Sequence, residues 1–336
     1  MTPLSFRVLR HLANAEFHSG AALARSLDVS RGTVWNAVRE LDAAGLEVTR
    51  VRGRGYQLAH AISLLDREAV ARSAGASAAR FRVEIVESVA STNSALMQRA
   101  AGDTPSGTVI AAEWQHSGRG RMGRRWHAEP GGALTFSLLW RFHQGASALA
   151  GLSLAAGVAL ARALSKLGVP EVRLKWPNDL LWNGGKLAGM LIELQGDALG
   201  PSAVVLGIGI NVRLSQALRS RIDQPATDLE TACGRALDRS TVLGAVLAEL
   251  APVLDAFART GFAPLREEWE RCHAHQGERV ALKLPGGRIE HGIARGVADD
   301  GALLFEAGST VQRLHSGEIG LCEVAPDAAG ALRHRA

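Results

Sequence analysis

Gly118-Arg119-Gly120-Arg121-Met122-Gly123-Arg124-Arg125-Trp126 packs three glycines and four arginines into nine residues of the chain. Glycine permits close backbone approach, and each arginine offers a rigid fork of donors matched to phosphate or carboxylate oxygens, so the loop is suited to holding an anion. Its reading decides the fold class, because Gly118, Gly120 and Gly123 formally spell the G-x-G-x-x-G of a dinucleotide-binding unit. That unit would open a helix here and meet an acidic residue about 20 positions later. Instead the chain runs on through Pro130-Gly131-Gly132, and no Asp or Glu occurs between Pro130 and Glu171. No Gly-Lys-Ser/Thr closes the loop either, which excludes a P-loop. By themselves the nine residues leave a solvated basic loop or nucleic-acid arm as open as a loop that holds an anionic ligand.

Outward from the loop, 336 residues imply two or three domains with ample core. Cys233, Cys272 and Cys322 are far apart and lack metal-ligand spacing, which points to reduced thiols and a cytoplasmic address. Residues 1–15 carry no signal-peptide core, and the apolar run 146–161, interrupted by serines, reads as a buried helix rather than a membrane span. The net charge of +5 suggests an anionic partner.

At the N-terminus, Ser19 reads as the cap of a helix over 20–26 and Ser30 as the cap of a second helix ending before Gly45, which is helix-turn-helix spacing. Val34, Ala37, Val38 and Leu41 form the buried stripe of that second helix, leaving Arg31, Thr33 and Asn36 near its N-terminus, where a recognition helix touches base edges. Two short strands around Gly53 follow, and Arg50, Arg52 and Arg54 make them a basic wing suited to phosphates. Eight basic and five acidic side chains give residues 1–60 a net +3. A protein-interaction role for this unit is the alternative.

Residues 71–79, rich in Ala, Ser and Gly, read as a flexible linker after a boundary near residue 65. Next come a strand at 81–87, the helix start Ser91-Thr92-Asn93, whose polar side chains could cap or bind ligand, a strand at 108–115 ending on Gln115, and a strand at 134–140. A long helix is expected over 147–167. Lys175-Trp176-Pro177-Asn178-Asp179 then leads to an Asn183-Gly184 hairpin that brings Asp179 and Lys186 to opposite sides of one turn, as a surface ion pair or facing a pocket. A glycine-containing strand covers 203–212, and a helix with a Leu243/Val246/Leu247/Leu250 stripe covers 241–259. Five short β runs between 279 and 324 predict a small barrel, and the tail after Ala325 is expected to be disordered.

The ordered set Ser91-Thr92-Asn93, Gln115, Gly118-Arg119-Gly120-Arg121-x-Gly123-Arg124, Lys175-Trp176-Pro177-Asn178-Asp179, Gly185-Lys186-Leu187-Ala188-Gly189 and Gly207-x-Gly209-x-Asn211 resembles the biotin–protein ligase family. The N-terminal unit and small barrel resemble its bifunctional members, which also repress biotin synthesis genes. The resemblance implies an α+β chain: a winged helix-turn-helix at 1–65, a class II synthetase-like catalytic domain with a mixed sheet at 66–275, an SH3-like barrel at 276–325 and the tail 326–336. It implies ATP and biotin as substrates with Mg²⁺ accompanying ATP, biotinyl-5′-AMP as intermediate and corepressor, and a biotin carboxyl carrier protein, operator DNA and a second copy of the chain as partners, with no membrane role. It places Ser91, Thr92, Asn93, Gln115, Arg119, Gly120, Arg121 and Lys186 at biotin. Gly118, Arg124, Trp126, Asn178 and Asn211 fall at the nucleotide, with Trp126 stacked on adenine. Arg119, Arg121, Lys186 and Asp179 carry the catalytic roles, Asp179 orienting or deprotonating the incoming lysine; no metal ligand is implied. Many relatives read Gly-Ile-Asn-Val-Asn at the last strand, where this chain has Arg213. A ligase without DNA binding, or a DNA-binding sensor with vestigial ligase activity, are the alternatives.

Overall fold

The structure, a computed structural model, describes residues 1–196 and 200–321. The expectations about Cys322, the barrel's last residues and the tail at 326–336 fall outside the described residues.

The N-terminal unit begins with α1 (Pro3–Leu12), followed by α2 (Gly20–Leu27) and α3 (Arg31–Ala43). Ser19 and Ser30 accept hydrogen bonds from Ala22 N at 3.0 Å and Thr33 N at 3.1 Å, so both expected caps supply an acceptor to otherwise orphaned amides. Strands β1 (Val48–Val51) and β2 (Gly55–Leu58) pair antiparallel to form the wing. Leu9, Leu12, Leu23, Val34, Val38, Leu41 and Leu58 close a core separate from that of the rest of the chain.

The stretch expected to be a flexible linker is ordered: α4 (Arg67–Ala74) runs into a 3-10 turn at Gly75–Arg80. Small residues read as a linker when no partner is visible in sequence, but they also let two helices approach closely. Ser73 Oγ donates to Thr241 O at 2.7 Å, and a Cβ on Gly244 would lie 2.5 Å from Val70 O.

The central seven-stranded sheet comprises β3 (Arg82–Val89), β4 (Thr108–Gln115), β5 (Ala133–Phe142), β6 (Arg173–Lys175), β7 (Asp179–Trp182), β8 (Gly185–Gly196) and β9 (Ser202–Asn211), in the order β3-β4-β5-β9-β8-β7-β6. β3 and β4 are parallel, connected through α5 (Thr92–Ala100), and the other neighbours are antiparallel. The expected continuous helix over 147–167 is instead a 3-10 turn at Ala146–Leu149 and α6 (Leu152–Lys166), parted where Gly151 takes φ 80° against Phe262. After the short α7 (Gln216–Arg219) and α8 (Leu229–Cys233), α9 (Arg239–Thr260) packs against α4 and α6. The segments 146–166 and 239–260 have the length and hydropathy of membrane spans, yet most of each apolar window is buried inside the molecule.

The C-terminal part adds α10 (Arg266–Arg271) and strands β10 (Arg279–Lys283), β11 (Ile289–Val297), β12 (Leu303–Ala307), β13 (Thr310–Leu314) and β14 (Glu318–Leu321), ordered β13-β12-β11-β10-β14. This sheet shares the core of the central sheet: Val280, Leu282, Phe305 and Ile319 join one buried cluster with Trp176 and Trp269, and Trp176 Nε1 donates to Gly301 O at 3.1 Å.

His273 stitches the two parts together. Its backbone bridges to Leu174, its ring stacks 4.5 Å from Trp269, its Nδ1 lies 3.0 Å from Gln276 Oε1, and its Nε2 is buried without a partner among the described residues. Burial pushes this imidazole down from 6.5 to about 4. The folded chain therefore keeps His273 neutral where the unfolded chain takes up a proton, so its contribution to stability is intact above the unfolded pKa and is lost as pH falls from 6.5 toward 4. Urea unfolding free energies are expected to drop by up to about 3 kcal/mol across that window, and His273→Gln to flatten the drop. An unchanged pH profile in the variant would show that another group is responsible.

Candidate active site

β4 ends on Gln115 and delivers the glycine-arginine loop across β8 and β9. The loop folds onto itself: Gly120 N donates to Arg124 O at 2.7 Å, and Trp126 N to Gly118 O at 2.9 Å. These bonds turn the Trp126 indole onto β9 at Gly209, where a Cβ would fall 2.6 Å from the ring, so only glycine allows the indole to lie flat there. Trp126 Nε1 is buried with no partner among the described residues. Below the loop is a cavity of about 260 Å³.

One end of the cavity is a chain of hydrogen bonds among neutral side chains that ends on the Glu193 carboxylate. Thr92 N and Oγ1 both donate to Gln115 Oε1, at 2.6 and 3.0 Å, and Thr92 Oγ1 lies 2.7 Å from Ser137 Oγ. Ser137 Oγ donates to Asn93 Oδ1 at 2.5 Å, and Asn93 Nδ2 to Glu193 Oε2 at 2.9 Å. Ser91 caps α5, so within this triplet one residue caps and two face the network.

The other end is cationic, and four of its cations are held by acidic or amide side chains. Arg119 reaches Glu193 at 2.5 Å, Arg121 donates to Asn178 Oδ1 at 3.0 Å, Arg124 pairs with Glu318, and Lys186 Nζ lies 2.8 Å from Asp179 Oδ1. Lys175 is half-buried near Asp179 and Glu318, and desolvation holds its ammonium below the ordinary lysine range. Burial likewise lowers the Arg121 guanidinium. Seven cations line the cavity, Arg125 and Arg221 besides these five, against Asp179, Asp223 and Glu318 in the lining and Glu193 behind it, which leaves an excess of positive charge in a partly dry site, where it acts strongly on negative ligands.

All the expected biotin and catalytic residues line this cavity, together with Arg124, Trp126, Asn178 and Asn211. Gly118 stands behind it, its carbonyl holding Trp126. The Asn211 amide is turned to the carbonyls of Lys186 and Thr227, at 3.1 and 3.0 Å, an arrangement that fixes the Lys186 backbone. Arg213 points away, 3.6 Å from Glu230. Residues given no role from sequence also contribute: Lys175, Glu318 and the segment 221–224 line the cavity, while Ser137 and Glu193 hold lining side chains from behind, Ser137 at Thr92 and Asn93 and Glu193 at Asn93 and Arg119. Lys175 stood in a quoted motif and could have been singled out, whereas Glu318 arrives from β14 with no local signal.

The expected DNA contacts form a separate surface on the winged unit. Arg31 and Asn36 are exposed, but Thr33 is half-buried with its hydroxyl 2.8 Å from Ser30 Oγ, which makes it part of the helix cap. In the wing, Arg50 pairs with Asp42, Arg54 lies 3.9 Å over the Phe17 ring, and Arg52 has no partner among the described residues.

Comparison with known proteins gives the family of the chain. Residues 85–211 match the model of the biotin/lipoate A/B protein ligase family, residues 5–57 an HTH domain, and residues 275–321 the biotin protein ligase C-terminal domain. The chain is 37% identical over 316 residues to the bifunctional ligase/repressor BirA of Escherichia coli K12, covering 94% of this chain and 96% of that one. It is 36% identical to the biotin–[acetyl-CoA-carboxylase] ligase of Paracoccus denitrificans, covering 68% of this chain and 96% of the other. Among solved structures, the biotin protein ligase of Aquifex aeolicus in complex with biotin and ATP matches with a TM-score of 0.60 and 28% identity, over 71% of this chain and 97% of that chain.

Proposed function

The chain belongs to the biotin protein ligase family, in its bifunctional ligase/repressor branch, and from that premise we propose how its pocket works. The protein is a biotin–protein ligase: it activates biotin with ATP and transfers it to a carrier-protein lysine, and its HTH domain serves repression. The observation that carries the mechanism is the convergence of Arg119, Arg121, Arg124, Lys175 and Lys186 on one cavity with a neutral polar end.

In our reading the ureido group of biotin meets Thr92 and Gln115, and its valeryl carboxylate points toward Arg119 and Lys186. The carboxylate oxygen forms a bond to the ATP α-phosphorus as the bond to pyrophosphate breaks, giving biotinyl-5′-AMP. Lys186 and the loop arginines offset the negative charge that gathers at the α-phosphate. A neutral carrier amine then attacks the acyl carbon, AMP leaves, and the amine's proton passes to Asp179 or to water. Arg121, tied to Asn178, keeps the loop closed so that water does not take the acyl group first. Magnesium, which we expect to accompany ATP, suits the site only as a metal carried mostly by triphosphate oxygens, because among the described residues no three His, Cys, Asp or Glu side chains group to hold an ion. The same reading places the protein in the cytoplasm and has biotinyl-5′-AMP promote a homodimer, which sedimentation velocity with and without biotin and ATP would test.

Biotin-dependent exchange of labelled pyrophosphate into ATP tests the activation step; no exchange above a biotin-free control would refute it. A second check separates the substrates. Gly209→Ala places a methyl inside the Trp126 ring and is expected to weaken ATP binding by about tenfold or more, the scale of one lost base stack, while biotin affinity in the absence of ATP changes much less. Equal losses for both ligands, measured by calorimetry, would move the adenine away from Trp126.

A further inference from the structure

We infer that Trp35, steadied by Arg39, reads thymine methyl groups in the operator's major groove; the inference rests on the repressor reading above. α3 buries Val34, Ala37, Val38 and Leu41 and exposes Arg31, Trp35, Asn36 and Arg39 on its other face. Arg31, Trp35 and Arg39 recur at four-residue spacing and so form one ridge along the helix. Trp35 remains 46% exposed, although tryptophan is among the side chains most buried on average. The winged unit's core is closed without it.

The Arg39 guanidinium stands 4.8 Å from the indole centroid and has no carboxylate partner among the described residues. Stacking on a cation holds the ring in place and leaves the arginine charge free for a phosphate. Trp35 lies in the second turn after the Ser30 cap, within the part of a recognition helix that faces base edges. An indole offers two apolar faces and a single donor, and the apolar mark in the major groove is the thymine C5 methyl. Arg31 and Asn36 flank it with the side-chain types that pair with guanine and adenine. With Thr33 engaged in the cap, these are the groups left to recognise sequence.

The test uses the full-length chain with biotin and ATP to enrich duplexes from a random-sequence pool. The enriched duplex is then remade with deoxyuridine in place of thymidine at one position at a time. The wild type is expected to bind about fourfold more weakly where the decisive methyl is missing, the scale of one buried methyl group. Trp35→Ala is expected to bind the thymidine duplex roughly tenfold more weakly and not to distinguish the two duplexes. Arg39→Ala should lower the slope of log affinity against log salt by about one. Unchanged thermal midpoints in both variants establish that the helix is intact. Enrichment by the wild type, followed by indifference to every methyl or by retained methyl discrimination in Trp35→Ala, would overturn the role of Trp35 alone. A failure of the wild type to enrich any sequence would overturn the repressor reading itself, and this inference with it.

Discussion

Lys186→Ala is expected to lower kcat/KM for biotin-dependent pyrophosphate exchange by about a hundred- to a thousandfold, the range seen when one preorganised donor is removed from a developing oxyanion. Lys186 opens β8 and is held from both sides, by Asn211 bonding its carbonyl and by Asp179 2.8 Å from its ammonium. The ammonium is largely buried, and Trp126 lies 6.0 Å away, so water screens it poorly and its position is set before any ligand arrives. Its neighbours cannot substitute for it: Arg119 is drawn toward Glu193, Arg124 toward Glu318, and Lys175 is strongly desolvated. Removing the ammonium also leaves Asp179 uncompensated beside the incoming anions. The effect should therefore fall on kcat more than on the affinity for biotin, whose ring end we propose to meet the hydrogen-bonded Thr92, Gln115 and Ser137. Single-turnover kinetics would distinguish a loss in the chemical step from a loss of binding.

The second large effect concerns stability. Arg239→Met is expected to cost about 3–5 kcal/mol in urea unfolding, because it strands a buried carboxylate. Arg239 is 1% exposed and Glu113 6%, and the two form an ion pair at the junction between the winged unit and the catalytic sheet. Arg239 Nε also donates to Ser63 O at 2.8 Å and Nη1 to Ala133 O at 3.2 Å, while Glu113 Oε1 accepts from Leu65 N at 2.7 Å. One guanidinium thus ties α9, β4, β5 and the segment leaving the wing. The double substitution Arg239→Met with Glu113→Leu is expected to recover most of the loss, since a buried ion pair is often no more stable than its apolar replacement. If the double variant is as unstable as the single, the damage comes from the backbone acceptors and not from the stranded charge.

Legibility in the sequence followed the range of the interactions. The caps Ser19, Ser30 and Ser91 act on amides three residues away, and the Asn183-Gly184 turn needs only the positive φ of 46° and 75° that those residues tolerate. These elements could be read locally. The order-dependent motifs supplied the cavity, because the strands bearing Gln115, Asp179, Lys186 and Asn211 lie in one sheet. Interactions between distant segments were not visible. α4 looked like a linker because its partner Gly244 is far along the chain, Glu318 reaches Arg124 from the last strand, and Asn211 turned out to brace Lys186. The wing arginines looked equivalent in sequence, yet Asp42 and Phe17 engage two of them and leave Arg52 without a partner among the described residues.

The central claim is that the cavity both makes the adenylate and delivers it to a protein amine. Its most direct test is the intact mass of a purified biotin-carrier domain after incubation with the protein, biotin and ATP. The account predicts a gain of one biotinyl group on a single lysine, dependent on both small molecules. An unchanged carrier mass, with pyrophosphate exchange still running, would contradict the claim.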